Sequence, residues 1–380
     1  MKVGHLADLH LGFRAYHKAA GTGVNLREFD VAKAFVEALG VLKDRDIKVL
    51  LLAGDIFHQV RPPNAIITFA FKQFLELQRA TDCEIVMVAG NHETPKTSET
   101  GNILQLFEMI PKSWVVYNRS EAVQVAGGRI RVLCVPHNGV LQRPKLEPDP
   151  EVEFNILLMH AAHAQYKFYA QGGHQIHSDD VHPEKWDYVA LGDFHSHTVL
   201  APNMIYPGGI ERTTSDIWAE AEDEKGLVIY DLEAKSHEFV LLTSPRTVVD
   251  LEPLAGAGKT SEELTAEITA ILDEVDVLDK IVRLQVVDVD TFTQRHLDHA
   301  LLRAYRTSAT HLHLVFRRPK RVSAEGTMAS DPAKRLTLEE EMEDFFAHRY
   351  KPDDDKLPRK ELAELAAHYL GNVQRPDVDE

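Results

Sequence analysis

The stretch Ile47–Asp55, "IKVLLLAGD", sets the architecture. After Lys48 it runs apolar without a break to Ala53, then turns at Gly54 into a carboxylate. A short apolar run bounded by glycine reads as a strand, and the lack of polar alternation implies that both of its faces are covered. The same grammar recurs on either side. "KVGHLA" and "CEIVMVAG" are strands of this kind, while "EFDVAKAFVEALGVL" and "NAIITFAFKQFLELQ" space their apolar residues as amphipathic helices, with "GNILQLFEMI" read as another. From Trp114 to Leu242 strands dominate ("RIRVLCVP", "FNILLMH", "WDYVALG", "GLVIYDL", "HEFVLLT"). A second sheet is therefore expected, and with it a multilayer α/β sandwich over residues 1–245.

Around Ser244–Pro245 the pattern changes. "RTVVDLEP", "SEELTAEITAILDEV", "KIVRLQVVDV", "TQRHLDHALLRAY" and "THLHLVF" alternate strand and helix signals, predicting a small α+β unit over 246–320. Residues 321–335 are polar with Pro, Gly and Ser, the composition of a linker. Two acidic amphipathic helices, "TLEEEMEDFFAHRY" and "PRKELAELAAHYL", are expected within 336–380. A short helix pair behind a linker is marginal alone, so docking into a partner's groove is expected.

Composition narrows the function. The chain has 380 residues, 44% of them hydrophobic, and a net charge of −17. Its bulk surface repels nucleic acid, so any DNA binding needs a local basic patch, bound cations or a partner. The two cysteines, Cys83 and Cys134, sit in apolar strand-like runs and read as small buried hydrophobes of a reducing compartment. No apolar run approaches the ~18 residues of a membrane span, and "MKVGHLADLH" has none of the features of a signal peptide. A cytoplasmic location without membrane contact is expected.

The residues just past the strands carry the chemistry. "HLA" leads to Asp8 and His10, "LLAG" to Asp55, and "MVAG" to Asn91 and His92. "ILLM" leads to His160, and "VALG" to Asp193 and His195. In helix-flanked sheets, sites form where loops converge at the carboxyl ends of strands. In Asp-x-His, residues two apart on extended chain face the same way and reach one cation. Gly precedes Asp55, Asn91 and Asp193, which lets the backbone turn sharply. Carboxylate, amide oxygen and imidazole without thiolate suit Mn²⁺, Fe²⁺ or Zn²⁺. Seven ligands exceed one ion but suit two that share a carboxylate, about 3.5–4 Å apart, an arrangement that clamps a phosphate for in-line attack. His92, beside ligand Asn91, is then free for proton transfer.

The series "DLH … GDIF … GNHE … H … GDFH" resembles the calcineurin-like metallophosphoesterases. More narrowly, "GDIFHQVRPPN", "GNHETP", "YVALGDFH" and "IYPGGIERTT…EKGLVIYDLE" look like the SbcD family, the nuclease half of a DNA-repair complex with the SbcC ATPase. The resemblance implies a phosphoesterase domain, a capping domain and a helical tail, residues 336–370, that binds an SbcC-like coiled-coil ATPase. It implies that Asp8, His10 and His195 hold one ion, that Asn91, His160 and Asp193 hold the other, and that Asp55 bridges them. His92 is the implied catalytic histidine. The implied reaction is Mn²⁺-dependent hydrolysis of DNA phosphodiesters at ends or hairpins, exonuclease and endonuclease, by a nucleoid-associated homodimer; Mg²⁺ and Fe²⁺ are the alternative metals.

One ligand departs from the superfamily. Gly-His-x-His is usual where this chain has Gly192-Asp193-Phe194-His195. Either Asp193 replaces the histidine and hardens the site toward Mn²⁺ or Mg²⁺, or the register slips and His195 and His197 form the pair, or the second ion is weakly held. Further candidates are substrate contacts: His58, three residues past Asp55, and Arg303, Arg306, Arg317 and Arg318, which with Lys320 and Arg321 form an acid-free basic run. A solvated face explains that run equally. "GAGKT" at 256–260 mimics part of a phosphate-binding loop but has Pro253 in place of its first glycine, so ATP is assigned to a partner.

Overall fold

The computed structural model describes residues 1–97, 100–165 and 175–319, together with Met342, Leu362, Leu365 and Ala366. In chain order the strands of the sandwich are β1 (Lys2–Leu6), β2 (Val49–Ala53), β3 (Glu84–Val88), β4 (Ser113–Val116), β5 (Glu121–Val125), β6 (Ile130–Val135) and β7 (Phe154–His160). They continue with the short pair β8 (Ala162–His163) and β9 (Gln175–Ile176), then β10 (Tyr188–Gly192), β11 (Thr198–Ala201), β12 (Met204–Tyr206), β13 (Gly226–Asp231) and β14 (Ser236–Leu241). Its helices are α1 (Leu26–Asp44), α2 (Asn64–Thr81), and the single turns α3 (His137–Val140) and α4 (Ser178–Val181). Among the described residues twelve of these strands build two six-stranded sheets, ordered β14-β13-β1-β2-β3-β4 and β11-β12-β10-β7-β6-β5, while β8 pairs only with β9. "GNILQLFEMI", read as an α-helix, forms a 3-10 helix over Ile103–Met109.

Strand β2 shows why its sequence does not alternate. Val49, Leu51 and Ala53 face the second sheet, in a core they share with Val132, Cys134, Ile156, Leu158 and Ala190. Leu50 and Leu52 face the other way, toward Phe35 of α1 and Phe74 of α2. Both faces are therefore apolar, as a doubly covered strand demands. Cys83 and Cys134 are buried, as expected of small core residues. Strands β1, β2 and β3 run parallel, as do β7 and β10, so their carboxyl ends point to one edge.

Beyond Pro245 lies a four-stranded sheet: β15 (Val248–Asp250), β16 (Leu254–Ala255), β17 (Ile281–Val287) and β18 (His311–Phe316). Strand β17 pairs in parallel with each of the other three. Helices α5 (Ser261–Val275), α6 (Thr291–Arg295) and α7 (His299–Ser308) accompany it, burying Leu264, Ile268 and Leu302 against Val282, Leu284 and Val286. The "GAGKT" stretch ends as a helix cap: Thr260 and Glu263 form a reciprocal capping box at the start of α5. The expected helix "TQRHLDHALLRAY" is two helices, because the Asp298 carboxylate accepts from the backbone of Ala300 and Leu301 and starts α7 afresh.

Residues Met1–Arg318 form one compact unit. Arg246 is one reason. It donates to Asp30 of α1 at 2.6 Å through two nitrogens, and to Thr310 Oγ1 at 2.8 Å beside β18. The expected linker over 321–335 lies outside the described residues. Of the expected tail only Met342, Leu362, Leu365 and Ala366 are described, and each is helical. Among the described residues no helix is long and apolar enough to cross a membrane.

Phe74 is fully buried, edge-on to Phe35 at 5.1 Å and to Phe107 at 5.7 Å between centroids. Truncation in such a packed aromatic cluster leaves a cavity, so Phe74→Ala is expected to cost about 3–5 kcal/mol. Urea denaturation measures it; a loss below about 1 kcal/mol would contradict the packing described.

Candidate metal centre

The five strand ends converge. His160, the last residue of β7, lies beside Gly192, the last of β10. Its Nδ1–H donates to the Ala53 carbonyl at 2.7 Å, so the Nε2 lone pair faces the opposite way. That atom lies 3.0 Å from Asn91 Oδ1, 3.5 Å from Asp193 Oδ1 and 3.6 Å from Asp55 Oδ1. A second cluster sits on the far side of Asp55. His10 Nε2 is 3.1 Å from His195 Nε2 and 3.7 Å from Asp55 Oδ2. Donor atoms of Asp8, His10 and His195 all lie within 4.8 Å of one another, as do those of Asp8, Asp55 and His160. The two oxygens of Asp55 thus face two different donor sets.

Backbone geometry supports the convergence. Asp8, His10, Asp55 and Asp193 all have positive φ, at 51°, 47°, 51° and 102°. Such conformations strain non-glycine residues and gather at functional sites. Glycine is required at Gly90, where a Cβ would overlap the Asp55 carboxylate, and at Gly192, where it would overlap the Ala53 carbonyl. The Asp193 N–H points at both oxygens of Asp8, 3.2 Å away, while its own carboxylate faces His160. His197 turns elsewhere: its Nδ1 meets the Tyr206 carbonyl at 3.0 Å and its ring stacks on Phe239 at 3.9 Å.

The electrostatics are those of a site built around positive charge. Burial raises the Asp8 pKa well above the carboxylate range, and Asp55 and Asp193 reinforce this against His160. Burial likewise raises Asp55. Burial holds His10 well below the ordinary imidazole value, with His195 adding to it. Burial and then Lys225 bring His195 down to about 3. His160 differs: burial opposes its charge, but Asp55 and Asp193 outweigh that and hold its pKa well above the ordinary value. Carboxylates that are buried together, facing imidazole lone pairs, fit divalent cations that take mixed oxygen and nitrogen ligands.

His92 sits at the mouth. Its Nδ1–H donates to the His58 carbonyl at 2.7 Å, leaving Nε2 3.9 Å from Asp55 Oδ2. His58 itself joins the group: its Nδ1 is 3.3 Å from His10 Nδ1. His10, Asp55, His58, Asn91, His92, Asp193 and His195 all line a cavity of about 1020 Å³. Arg303, Arg306, Arg317 and Arg318 are not among its lining residues. Lys320 and Arg321 lie outside the described residues.

Sequence reasoning missed three contributors. His137 lines the same cavity at the end of β6, and the strand-end rule that found His160 applies to it equally. Thr213–Asp216 form another wall. Glu93, the last residue of Gly-Asn-His-Glu, is fully buried. Its carboxylate accepts from Gly90 N at 2.9 Å, Asp55 N at 3.2 Å and Phe57 N at 2.6 Å, tying two ligand loops together. Burial, with Asp55 nearby, pushes its pKa up to about 8.

Residues 1–200 match the calcineurin-like phosphoesterase family, and the chain belongs to it. Among curated proteins it is similar to the DNA double-strand break repair protein Mre11 of Sulfolobus acidocaldarius, 29% identical over 52% of this chain and 50% of that one. The protein of the same name from Methanopyrus kandleri is 27% identical over 60% of this chain and 51% of its own. That from Sulfurisphaera tokodaii is 28% identical over 52% and 50%. The chain spans about half the length of the curated relatives it matches.

Proposed function

We propose that this phosphoesterase is a two-metal DNA nuclease acting in double-strand-break repair. The observation that carries the reading is the Asp55 carboxylate, with Oδ1 3.6 Å from His160 Nε2 and Oδ2 3.7 Å from His10 Nε2. Asp8, His10 and His195 would hold one ion; Asn91, His160 and Asp193 would hold the other; Asp55 would touch both. Mn²⁺ suits this oxygen-rich set, with Mg²⁺ or Fe²⁺ as alternatives. When bound, such a pair supplies Lewis acidity toward a phosphoester and lowers the pKa of a water.

The chain's own residues supply orientation and a proton. The His58 carbonyl fixes the tautomer and direction of His92. Protonated on Nε2 as well, His92 would give that proton to the leaving oxygen as its bond to phosphorus breaks and water takes its place there. His58, which lines the same cavity, would touch the substrate there. The similarity to relatives named for double-strand-break repair supports DNA as the substrate. In a chain of net −17, Arg303 and Arg306 on α7 and Arg317 and Arg318 after β18 would provide local phosphate contacts. The proposal extends to a cytoplasmic homodimer that acts on DNA ends or hairpins, with an SbcC-like ATPase bound through residues 336–370. It also divides the chain into a nuclease domain (1–245), a cap (246–320), a linker (321–335) and a tail (336–380).

End-labelled duplex DNA with Mn²⁺ tests the proposal. Cleavage is expected, abolished by chelator and reduced about 10²–10⁴-fold in His92→Ala, the range of one general acid. Intact DNA beside hydrolysis of bis-(p-nitrophenyl) phosphate would instead favour a small-phosphoester hydrolase. Asp193→His is expected to raise activity with Zn²⁺ relative to Mn²⁺, since imidazole is the softer ligand. An unchanged metal preference would remove Asp193 from the ligand set.

A further inference from the structure

Outside the ligand set, one buried charge cluster touches it. Glu220 ends a 3-10 turn, Ile217–Glu220, and its side chain is 3% exposed. Its Oε2 accepts from Lys225 Nζ at 2.5 Å, and Lys225 is itself 1% exposed. The same Nζ donates to the His195 carbonyl at 2.9 Å. One lysine therefore ties a carboxylate to the backbone of a candidate ligand. The turn cannot drift, because Arg212 Nε donates to the Glu220 carbonyl at 2.8 Å and its Nη2 to the Asp223 carbonyl at 2.5 Å.

The other oxygen of Glu220 is the informative one. Glu220 Oε1 lies 3.8 Å from His195 Nδ1. Both atoms are buried, and neither has a hydrogen-bond partner. Two orphaned polar atoms that face each other inside a protein are costly unless they pair. On the opposite edge of the ring, His195 Nε2 faces His10 Nε2 and the donor cluster. A proton on Nδ1, held toward Glu220, leaves the Nε2 lone pair aimed at that cluster. Carboxylates that accept the distal N–H of a metal-binding histidine fix its tautomer and raise its basicity.

We infer that Glu220, locked by Lys225, is a positioning residue for His195, orienting the ring through Nδ1 and so setting the affinity of the ion held with Asp8 and His10. The inference rests on the two-ion reading of the site. It goes beyond the strand-end residues, since Glu220 lies between β12 and β13.

Equilibrium dialysis of the full chain against Mn²⁺, with metal content measured, separates a positioning role from a merely structural one. Wild type is expected to hold two ions per chain. Glu220→Gln is expected to weaken one of them about 10–100-fold and leave the other unchanged. The weakened ion should be the one lost in His195→Ala, and E220Q in the His195→Ala background should cause no further loss. A structural role would weaken both ions, or add to His195→Ala, and either result overturns the inference. Two ions bound as tightly by folded E220Q as by wild type also overturn it. Wild type holding fewer than two ions sinks the two-ion reading, and the inference with it. Should the lysine left behind unfold E220Q, the pair Glu220→Gln/Lys225→Met is compared with Lys225→Met alone, which already lacks the bond to the His195 carbonyl; a pair that binds the ion as tightly as Lys225→Met overturns the inference.

Discussion

Asp55 is a carboxylate with 2% of its surface exposed, held at positive φ, whose two oxygens look toward different imidazoles. Everything around it answers that placement. The backbone of Asp8 and His10 bonds to the carbonyls of Gly54 and Asp55, so the loop after β1 is laid directly on the loop after β2. The Asp55 carboxylate accepts the His92 N–H at 2.9 Å, which draws in the loop after β3. Glu93 ties the same two loops together from beneath. The second sheet contributes through His160, whose ring is clamped to the carbonyl of Ala53, two residues before Asp55.

The fold tolerates this because the strain is confined. Four candidate ligands at positive φ each carry a cost of roughly 1–3 kcal/mol in isolation. They are held by hydrogen bonds past the buried carboxyl ends of β1, β2 and β10, where the surrounding core fixes the backbone. The sandwich core on one side and the helix-covered core on the other supply that rigidity. Burial of the three acids is costly and their mutual repulsion adds to it; burial first, and the neighbouring carboxylates second, raise the pKa values of Asp8 and Asp55. Bound divalent cations would relieve it.

Much of this is legible in the sequence because both signals are local. An unbroken apolar run names a doubly covered strand, and Asp, Asn or His just past its end, after a glycine at Asp55, Asn91 and Asp193, names a strand end with chemistry. Asp8, His10, Asp55, Asn91, His160, Asp193 and His195 stand out on that basis, and the structure brings them together. Where the signal is tertiary it is not legible. Glu220 and Lys225 look like one more acidic surface stretch, "AEAEDEKG", and only the fold turns them inward against His195. Asp298, a cap within a continuous apolar periodicity, splits a helix that the periodicity joins. His137 is the instructive miss: it comes after an apolar strand like the others, but Pro136 makes the end look like a plain turn.

On the two-ion reading, Asp55 would lie between two cations. Crystals grown with Mn²⁺ and measured at a wavelength where manganese scatters anomalously test it directly. The account predicts two anomalous peaks about 3.5–4 Å apart, one on each side of the Asp55 carboxylate. A single peak, or two peaks that do not share Asp55, would contradict it.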